Sequence, residues 1–384
     1  MTKDKKNRRQ ILLYTSGLIV EQNPTGGELR FLELAKYLQE MGAAELCCAD
    51  DIENLEALGL RASIKMSKAS EIPAFLPEEA RLMFANRKTL RSIARKKYSD
   101  VIVFDVPTAV GLILSGVRNT VLMIRKDLIG YEQVKTSGNG LKKRIRIAYQ
   151  WVCEDACLKH AKTVICQCAY DRDTLLRRHP FGAKKLKSKF IVQINNVNPS
   201  WIVQRAEEAI PDEKNSERFR VCFIGGFDDL RKGQDLFLRA AESLTKEYRD
   251  LEFVLIGGGK KLELYRKQYE SDQIFFLGRK DNPVSTLKSA DLLVVPSLAD
   301  SCPNTVMEAM YTHVPVVGSR AGGIPEILMN QEALFSPEWE ALRDIVEHCY
   351  LDREFCKKLK EQQTQRAKEL SFNWAERIVD LIVG

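Results

Sequence analysis

The stretch Leu292–Val317 reads LLVVPSLADSCPNTVMEAMYTHVPVV and decides the fold class of this chain. It begins with four apolar residues, passes through a polar loop, and continues with a helical pattern that starts at Asn304, just after Pro303. Proline is common at the beginning of helices because the N–H that it lacks would have no helical acceptor there. A β-branched run then covers Val314–Val317. The stretch therefore predicts a strand, a loop, a helix over Asn304–Thr312 and a second strand.

The same alternation of strands and helices extends towards the amino terminus. Further predicted strands cover Arg220–Ile224, Glu252–Ile256, Ile274–Leu277 and Leu292–Val295. Predicted helices cover Asp235–Tyr248, Leu262–Glu270 and Val284–Ser289. Strands that alternate with helices imply a parallel sheet with both faces covered. We predict one doubly wound α/β domain over residues 201–365.

A second series of α/β units precedes this domain. The apolar run Ile11–Val20 is followed by the glycine loop Thr25–Glu28 and a helix. Short β-branched runs follow at Val101–Phe104, Val121–Ile124, Thr163–Cys166 and Phe190–Val192. The charged stretch Asn198–Glu217 contains two prolines and has no periodicity, which is typical of a linker. We predict a Rossmann-like domain over residues 1–200, with the closing segment 366–384 packed back on it, and a ligand cleft between the two domains.

Composition narrows the class of protein. The chain has 384 residues, of which 45% are hydrophobic and 29% charged, and this length suits two domains. Its apolar runs are shorter than the roughly 18 to 20 residues that a membrane-spanning helix needs. Its ten cysteines include no Cys-x2-Cys pair that would indicate zinc. We expect a protein of the reducing cytoplasm without disulfides.

The net charge of +7 is unevenly distributed along the chain. Residues 1–200 hold 34 basic and 21 acidic side chains, whereas residues 201–384 hold 25 and 31. The basic stretch Lys142–Arg146 interleaves with Leu141, Ile145 and Trp151, as in an amphipathic basic helix. Such a helix suits the inner face of an anionic membrane and a lipid-linked acceptor, although a solvated helix face gives the same pattern. Nucleic-acid binding is not expected, because no recognition module accompanies the charge.

The predicted start of the helix at Asn304 carries the first candidate chemistry. The N–H groups of Asn304, Thr305 and Val306 would lack helical acceptors, and the helix dipole makes this end positive. Such an end can bind a phosphate group. Glu308 lies about one turn beyond Asn304, on the same side of the helix. We therefore expect Glu308 to bind the hydroxyl groups of a ribose attached to that phosphate.

A second candidate element follows the predicted strand Arg220–Ile224. The loop Gly225–Gly233 contains Arg231 and Lys232 and precedes a predicted helix. A guanidinium fork and an ammonium group can hold a diphosphate and stabilise the charge that builds up as it leaves. Removal of either cation is expected to lower turnover about 100-fold. A solvated loop is the alternative explanation for the Arg-Lys-Gly sequence on its own.

In this order and spacing, the motifs resemble the retaining glycosyltransferases of family 4, which have the GT-B architecture. The segment Asp300–Glu308 is similar to the Glu-x7-Glu signature of that family, and the resemblance covers nearly the whole chain. The other stretches that carry it are Thr25–Glu28, Asn195–Asn198, Arg231–Gly233, Ile256–Gly259, Phe276–Gly278, Ala290–Asp291, Pro296–Ser297, Pro315–Val317 and Gly322–Glu326.

The resemblance implies roles for individual residues and a reaction. Arg231 and Lys232 would hold the diphosphate, Asp300 would lie near the transferred sugar, and Glu308 would bind the ribose. The implied donor-binding residues are Gly26, Gly27, Gly226, Gly278, Arg279, Asn304, Thr305 and Val306. The implied acceptor-side residues are Glu28, Asp105, Arg125 and Lys126. The reaction is transfer of a sugar, with retention, from a UDP- or GDP-sugar to a hydroxyl of a glycan or lipid-linked acceptor. No metal or other cofactor is expected, and the implied pathway is cell-surface polysaccharide or glycolipid synthesis.

The chain departs from the family pattern in three places. Asp300 stands where the family has Glu, Arg125–Asp127 stands where many members have a His, and His313 stands where the signature helix usually ends in Gly. A left-handed residue at that helix end costs a non-glycine residue about 1 kcal/mol. These departures leave open a GT-B-shaped binding subunit without turnover. A nicotinamide-dependent oxidoreductase is excluded, because Gly26–Gly27 and Gly257–Gly259 lack the Gly-x-Gly-x-x-Gly spacing.

Overall fold

The computed structural model describes residues 10–15, 26–42, 44–48, 55–56, 59–61, 64–67, 77–125, 127–135, 140–196, 202, 207, 217–280 and 282–383. The chain divides into two units. The first unit is drawn from Met1–Ile129, Gly138–Gln193 and Asn373–Gly384, and the second from Gly130–Ser137 and Ile194–Phe372. Each unit contains its own sheet and its own hydrophobic core.

The first unit is built on a parallel sheet whose described strands run in the order β3-β2-β1-β4-β5-β6-β7. These strands are β1 (Ile11–Tyr14), β2 (Ala44–Cys48), β3 (Ile64–Lys65), β4 (Asp100–Phe104), β5 (Thr120–Ile124), β6 (Thr163–Cys166) and β7 (Phe190–Val192). Every residue of β1, β4 and β5 is buried. Continuous burial is the pattern of parallel strands that carry helices on both faces.

The helices of this part of the chain lie between the strands. They are α1 (Gly26–Glu40), α2 (Glu78–Ala85), α3 (Arg87–Arg95), α4 (Val106–Leu114), α5 (Leu128–Lys135), α6 (Leu141–His160), α7 (Ala169–Arg178) and α8 (Ala183–Lys187). The prediction of a glycine loop at Thr25–Glu28 is wrong for Gly26 and Gly27, because α1 begins at Gly26. The first N–H groups of a helix make no intrahelical bond, so the low helix propensity of glycine matters least in that turn.

The second unit is built on a parallel sheet in the order β10-β9-β8-β11-β12-β13. Its described strands are β8 (Phe219–Ile224), β9 (Leu251–Ile256), β10 (Ile274–Gly278), β11 (Leu292–Val295), β12 (Val316–Ser319) and β13 (Leu334–Phe335). Numbered from β8, this is the order 3-2-1-4-5-6 of a doubly wound fold. The direction of winding reverses between β8 and β11, where Val221 pairs with Leu292.

Helices again connect these strands. They are α9 (Gln234–Glu247), α10 (Leu262–Tyr269), α11 (Val284–Ser289), α12 (Asn304–Tyr311), α13 (Ile324–Leu328), α14 (Trp339–Leu351) and α15 (Arg353–Glu369). His313 follows α12 with φ +60°, so it adopts the left-handed conformation predicted for this helix end. Its ring Nδ1 lies 3.1 Å from Thr364 Oγ1 of α15.

The last helix, α16 (Trp374–Val383), packs on the first unit. It contacts α1, and the Arg30 guanidinium lies 5.6 Å above the Trp374 ring. The buried residues of α16 are Trp374, Ala375, Ile378, Val379, Ile382 and Val383, which recur at helical spacing. An apolar stripe of this kind requires a surface to cover it.

The prediction of two doubly wound α/β domains is confirmed. Three short strands were not predicted, namely β2, β3 and β13. Two predicted strands have bounds that differ by more than one residue. In the run Ile11–Val20 the strand ends at Tyr14, and residues 16–20 lie outside the described residues. The run Val314–Val317 enters the sheet at Val316. Pro315 lacks an N–H to donate to a sheet ladder, which disfavours an earlier start.

Candidate functional site

The most direct pairing of predicted site residues lies at the carboxyl edge of the second sheet. Lys232 follows β8 and Asp300 follows β11, the two strands between which the winding reverses. The Lys232 ammonium Nζ lies 2.6 Å from Asp300 Oδ2. In open α/β sheets, ligands bind outside the carboxyl ends of the strands at this reversal. The structure thus brings two predicted site residues, 68 positions apart in sequence, together at the expected place.

Arg231 has a different partner from Lys232. Asp229 accepts hydrogen bonds from the Arg231 backbone N–H, from Nε at 3.0 Å and from Nη2 at 2.6 Å. Burial would raise the pKa of the Asp229 carboxyl, but the hydrogen bonds and charge of Arg231 outweigh it and leave that pKa below its usual range. Asp229 was not among the predicted site residues. The sequence signal that could have indicated this pair was an acidic residue two positions before Arg231.

The loop that carries the two cations is fixed against the loop after β11. Residues Leu230–Lys232 form one turn of 3-10 helix, and Gly233 follows with φ +74°. A Cβ at Gly233 would lie 2.0 Å from the Pro296 carbonyl oxygen, so only glycine fits. The Leu298 N–H donates to the Arg231 carbonyl at 2.6 Å. These contacts position the backbone on which Lys232 reaches Asp300.

Asp300 is held in place by a glycine turn after β12. The Gly323 N–H donates to the Asp300 carbonyl at 2.9 Å. Gly322 has φ +58°, and a Cβ there would lie 2.0 Å from the same carbonyl oxygen. Gly322 and Gly323 carried part of the resemblance in sequence, and the structure shows the physical role of Gly322: it allows the backbone to approach Asp300 closely.

Helix α12 begins at Asn304 as predicted, but one of the three backbone N–H groups that were expected to lack a helical acceptor has a partner. Pro303 precedes the helix, and no side chain caps it. The prediction that Val306 offers a free N–H is wrong, because this group donates to the Pro303 carbonyl at 3.2 Å. A short i→i+3 bond of this type commonly satisfies a first-turn N–H group. The Val306 side chain is fully buried, whereas Asn304, Thr305 and Glu308 are partly exposed.

The remaining predicted donor-side residues lie at the ends of the neighbouring strands. Gly226 follows β8, and an ideal Cβ there would lie 3.8 Å from the Gly258 carbonyl oxygen. Gly278 closes β10 with φ +70° and accepts a hydrogen bond from the Gly257 N–H at 2.9 Å. Arg279 follows at once, and its Cβ lies 3.5 Å from the Cβ position of Gly258. All of these residues belong to the same carboxyl edge.

The first unit places two predicted acceptor-side residues together. Asp105 follows β4 and Arg125 follows β5. The Arg125 Nη2 and Asp105 Oδ2 atoms are 2.7 Å apart, and the side chains are 30% and 9% exposed. Glu28 and Gly27 lie in the first turn of α1. Lys126 lies outside the described residues, as do Thr25, Val197 and Asn198.

Two properties of the described residues concern metal binding and the crossing of a membrane. No group of three or more His, Cys, Asp or Glu side chains in these ranges is arranged to hold a metal ion. No helix in the same ranges has the length and apolar character needed to cross a membrane. The ten cysteines all lie within the described ranges, where they are buried and form no disulfide.

Comparison with known sequences finds a family model that matches part of the second unit. The sequence model described as "Glycosyl transferases group 1" matches residues 204–366. The N-acetyl-alpha-D-glucosaminyl L-malate synthase of Bacillus anthracis is 32% identical over 114 residues, which is 29% of each chain. The chain spans less than two thirds of the length of the first curated relatives that it matches.

Comparison with solved structures covers the whole chain. Sucrose-phosphate synthase from Thermosynechococcus elongatus has a TM-score of 0.74 at 18% identity, over 97% of this chain and 98% of that one. Anabaena HepE in complex with UDP has a TM-score of 0.70 at 16% identity, over 97% and 99%. At such identities the likeness establishes the fold. The resemblance inferred from sequence is confirmed: the chain has the GT-B fold and resembles glycosyltransferase family 4, and its residues 204–366 match the sequence model of the group 1 glycosyl transferases.

Proposed function

We propose that this protein is a retaining glycosyltransferase that moves a sugar from a nucleotide-diphosphate donor to an acceptor hydroxyl. The observation that carries the proposal is the contact of Lys232 with Asp300 at the reversal point of the second sheet. Both residues are predicted donor-site residues, and α12 with Glu308 begins four positions after Asp300. A cation, a carboxylate and a helix amino terminus there provide the groups that a nucleotide diphosphate requires.

In this proposal Lys232 exchanges its partner when the donor binds. The ammonium makes a single hydrogen bond to Asp300 and remains 31% exposed, so a diphosphate oxygen can replace that carboxylate at little cost. Asp300 is then released towards the transferred sugar. Glu308 binds the ribose, and the N–H groups of Asn304 and Thr305 face the phosphates. Arg231 contributes positive charge after it leaves Asp229.

The chemistry that follows depends on the leaving group. As the sugar–phosphate bond breaks, positive charge develops on the sugar and negative charge on the diphosphate. An oxygen of the leaving diphosphate can accept the proton of the acceptor hydroxyl on the same face, which retains configuration. Little is then required of a side-chain base, and catalysis comes from positioning and from fixed positive charge near the diphosphate.

Two findings support the proposal without deciding the donor. Residues 204–366 match a family of glycosyl transferases. That range contains all four residues of the proposed catalytic set, namely Arg231, Lys232, Asp300 and Glu308. Anabaena HepE, which shares the fold, was solved with UDP bound. We propose UDP- or GDP-sugars as donors and a glycan or lipid-linked hydroxyl as acceptor, in cell-surface polysaccharide or glycolipid synthesis.

A membrane-facing acceptor is favoured by helix α6. Leu141, Ile145 and Val152 are 72%, 60% and 59% exposed, and at 100° per residue they lie within about 40° of one another around the helix. Arg144 is exposed beside them. An apolar stripe flanked by basic residues lies well at an anionic leaflet. We propose that α6 contacts the inner, cytoplasmic face of a membrane.

Flotation with vesicles tests this membrane contact. The full chain should float with phosphatidylcholine vesicles that contain phosphatidylglycerol and should not float with phosphatidylcholine alone. Replacement of Ile145 by Glu should abolish flotation, whereas Leu264→Glu, which alters an exposed residue of α10, should leave it unchanged. Flotation that is insensitive to Ile145→Glu would contradict the role of α6.

The donor experiment is a thermal-shift comparison of UDP, GDP and ADP with their sugars. A ligand that binds the folded state raises its apparent melting temperature, so the correct nucleotide should stand out. Donor hydrolysis or transfer is then measured for the wild type and for Glu308→Ala. Nucleotide binding without turnover would favour the binding subunit instead. No binding of any nucleotide would overturn the proposed function.

A further inference from the structure

Asp105 holds an unusual backbone conformation at the carboxyl end of β4. Its φ is 63° and its ψ 157°, a region that is populated almost entirely by glycine. The residue nevertheless carries a side chain, which is almost completely buried. Strain of this kind persists only where the surroundings fix it, and it concentrates at sites that bind ligands.

The surroundings that fix Asp105 come from β5. The Asp105 N–H donates to the Met123 carbonyl at 2.9 Å. The Arg125 N–H donates to Oδ1 at 3.0 Å, and Arg125 Nε and Nη2 donate to Oδ2 at 2.9 and 2.7 Å. The guanidinium also lies 5.3 Å above the Phe104 ring, which packs edge-on against Phe31. The orientation of Arg125 is therefore set by a carboxylate and an aromatic face.

This arrangement leaves one edge of the guanidinium available. Arg125 uses its Nε–Nη2 edge on Asp105, and within the described ranges no group of this chain accepts a hydrogen bond from Nη1. The side chain is 30% exposed. The end-on edge formed by Nη1 and Nη2 presents two parallel N–H donors, the geometry that binds phosphate in a bidentate manner. A fork held in advance by other groups loses less entropy on binding.

A second feature adds positive potential at the same place. Asp105 immediately precedes α4, whose amino terminus has no side-chain cap. The dipole of this nine-residue helix places partial positive charge beside Arg125. The Asp105 carboxylate offsets part of the charge, but its oxygens already accept three hydrogen bonds from Arg125.

We propose that Arg125 binds a phosphate group of the acceptor, with Asp105 as the positioning residue that orients the guanidinium. The proposal rests on the proposed function and adds the substrate class: the acceptor is a phosphorylated molecule. The phosphate belongs either to a soluble sugar phosphate or to a lipid headgroup, which present the same oxygens to the fork.

Nuclear magnetic resonance of the full chain, labelled with ¹⁵N-arginine and saturated with UDP, tests the phosphate contact. The Arg125 Nε–H signal is assigned by its loss in Arg125→Lys. Arg91→Lys, which alters an exposed arginine of α3, is the matched control and should leave that signal in place. Inorganic phosphate at constant ionic strength should shift the Arg125 signal in a saturable way. In uniformly ¹⁵N-labelled protein, the backbone N–H signals of Val106 and of residue 125 report phosphate binding in both the wild type and Arg125→Lys. They should show about tenfold weaker phosphate affinity in Arg125→Lys, because the fork is lost.

The outcomes separate this proposal from the proposed function. If UDP binds and the Arg125 signal does not respond to phosphate, the phosphate site is wrong and the donor site stands. If UDP itself does not bind, the proposed function fails. Acetate that shifts the Arg125 signal with the same affinity as phosphate would also overturn the assignment to phosphate.

Two further probes distinguish the sources of the phosphate. Glucose 6-phosphate that shifts the Arg125 signal, when glucose does not, supports a soluble sugar phosphate. Broadening of the same signal by phosphatidylcholine vesicles containing phosphatidic acid, but not by pure phosphatidylcholine, supports a lipid headgroup. If neither probe affects Arg125, the acceptor is not of the proposed class.

Discussion

The carboxyl edges of the two sheets hold their charged residues in different ways. In the first unit, Asp105 and Arg125 are joined by two side-chain hydrogen bonds and one from the backbone, and the carboxylate is almost fully buried. In the second unit, Lys232 and Asp300 are joined by one hydrogen bond between partly exposed groups. Both pairs follow adjacent strands of a parallel sheet.

The difference indicates which pair can rearrange. A planar fork held by two hydrogen bonds and an aromatic face is costly to move, so Arg125 presents a fixed edge. A flexible ammonium with one partner can transfer to another anion while the backbone of Asp300 remains fixed by the Gly323 N–H. The carboxyl edge of the first sheet is therefore suited to recognition of a ligand group that does not react. The second is suited to a diphosphate that arrives, leaves and changes its charge during the reaction.

The largest expected effect is a loss of stability and concerns the backbone at the carboxyl edge of the second sheet. Gly322→Ala would place a Cβ 2.0 Å from the Asp300 carbonyl oxygen at φ +58°, so we expect a loss of about 4 kcal/mol of unfolding free energy or more. Gly278→Ala is the matched control, because Gly278 also has positive φ but no atom lies within 4 Å of its Cβ position. That change should cost about 1 kcal/mol. Urea denaturation measures both; equal losses would contradict the steric argument.

The next effect is on turnover and concerns Lys232, the cation that can exchange its partner. Lys232→Ala removes a charge that contacts the leaving diphosphate in the proposed reaction, so turnover should fall about 100-fold. Lys246→Ala, which removes an exposed lysine of α9, should leave turnover unchanged. Steady-state kinetics with the donor identified by thermal shift provide the measurement. Turnover that survives Lys232→Ala in a folded protein would remove this residue from the proposed catalytic set.

The comparison of the two pairs can itself be measured with double-mutant cycles. Asp105→Asn with Arg125→Met should give a coupling energy of about 2 kcal/mol, because the carboxylate is buried and bonded at several points. Asp300→Asn with Lys232→Met should give less than about 1 kcal/mol, as is usual for partly exposed pairs. Urea denaturation of each set of four proteins yields both values. Similar couplings would remove the distinction between a fixed and an exchangeable pair.

Sequence periodicity was sufficient to predict the two sheets and the position of the second edge. Strand β11 is a continuous apolar run, β8 is apolar over Val221–Ile224, and the loops that follow them contain Lys232 and Asp300. Because the carboxyl ends of neighbouring parallel strands meet at one edge, these loops had to be close. The short strands β2, β3 and β13 escaped prediction because they have two to five residues and little apolar pattern of their own.

Contacts within the site could not be predicted in the same way. The role of Gly322 depends on the approach of its backbone to Asp300, 22 residues earlier, which sequence spacing does not encode. The choice of Asp229 by Arg231, and of Asp300 by Lys232, depends on where the 3-10 turn Leu230–Lys232 directs each side chain. The Val306 N–H was mispredicted because the first turn of α12 is tighter than a regular α-helix.

The smallest expected effect is the dependence of stability on pH through Asp229. Its pKa is lower in the folded state than in the unfolded chain, because Arg231 outweighs the effect of burial. Asp229 therefore stabilises the fold above the unfolded pKa of about 3.9, and this contribution disappears as the pH falls through the lower folded value. At neutral pH, Asp229→Asn should lower the free energy of unfolding by about 1 kcal/mol.

Urea midpoints at a series of pH values test this effect. The difference in unfolding free energy between the wild type and Asp229→Asn should narrow steadily below about pH 4. In an Arg231→Gln background the guanidinium is missing but the backbone N–H of residue 231 and the charge of Lys232 remain, so the effect of Asp229→Asn should be smaller and should depend less on pH. A pH-dependent difference of undiminished size without the guanidinium would contradict the role of Arg231 in lowering the pKa of Asp229.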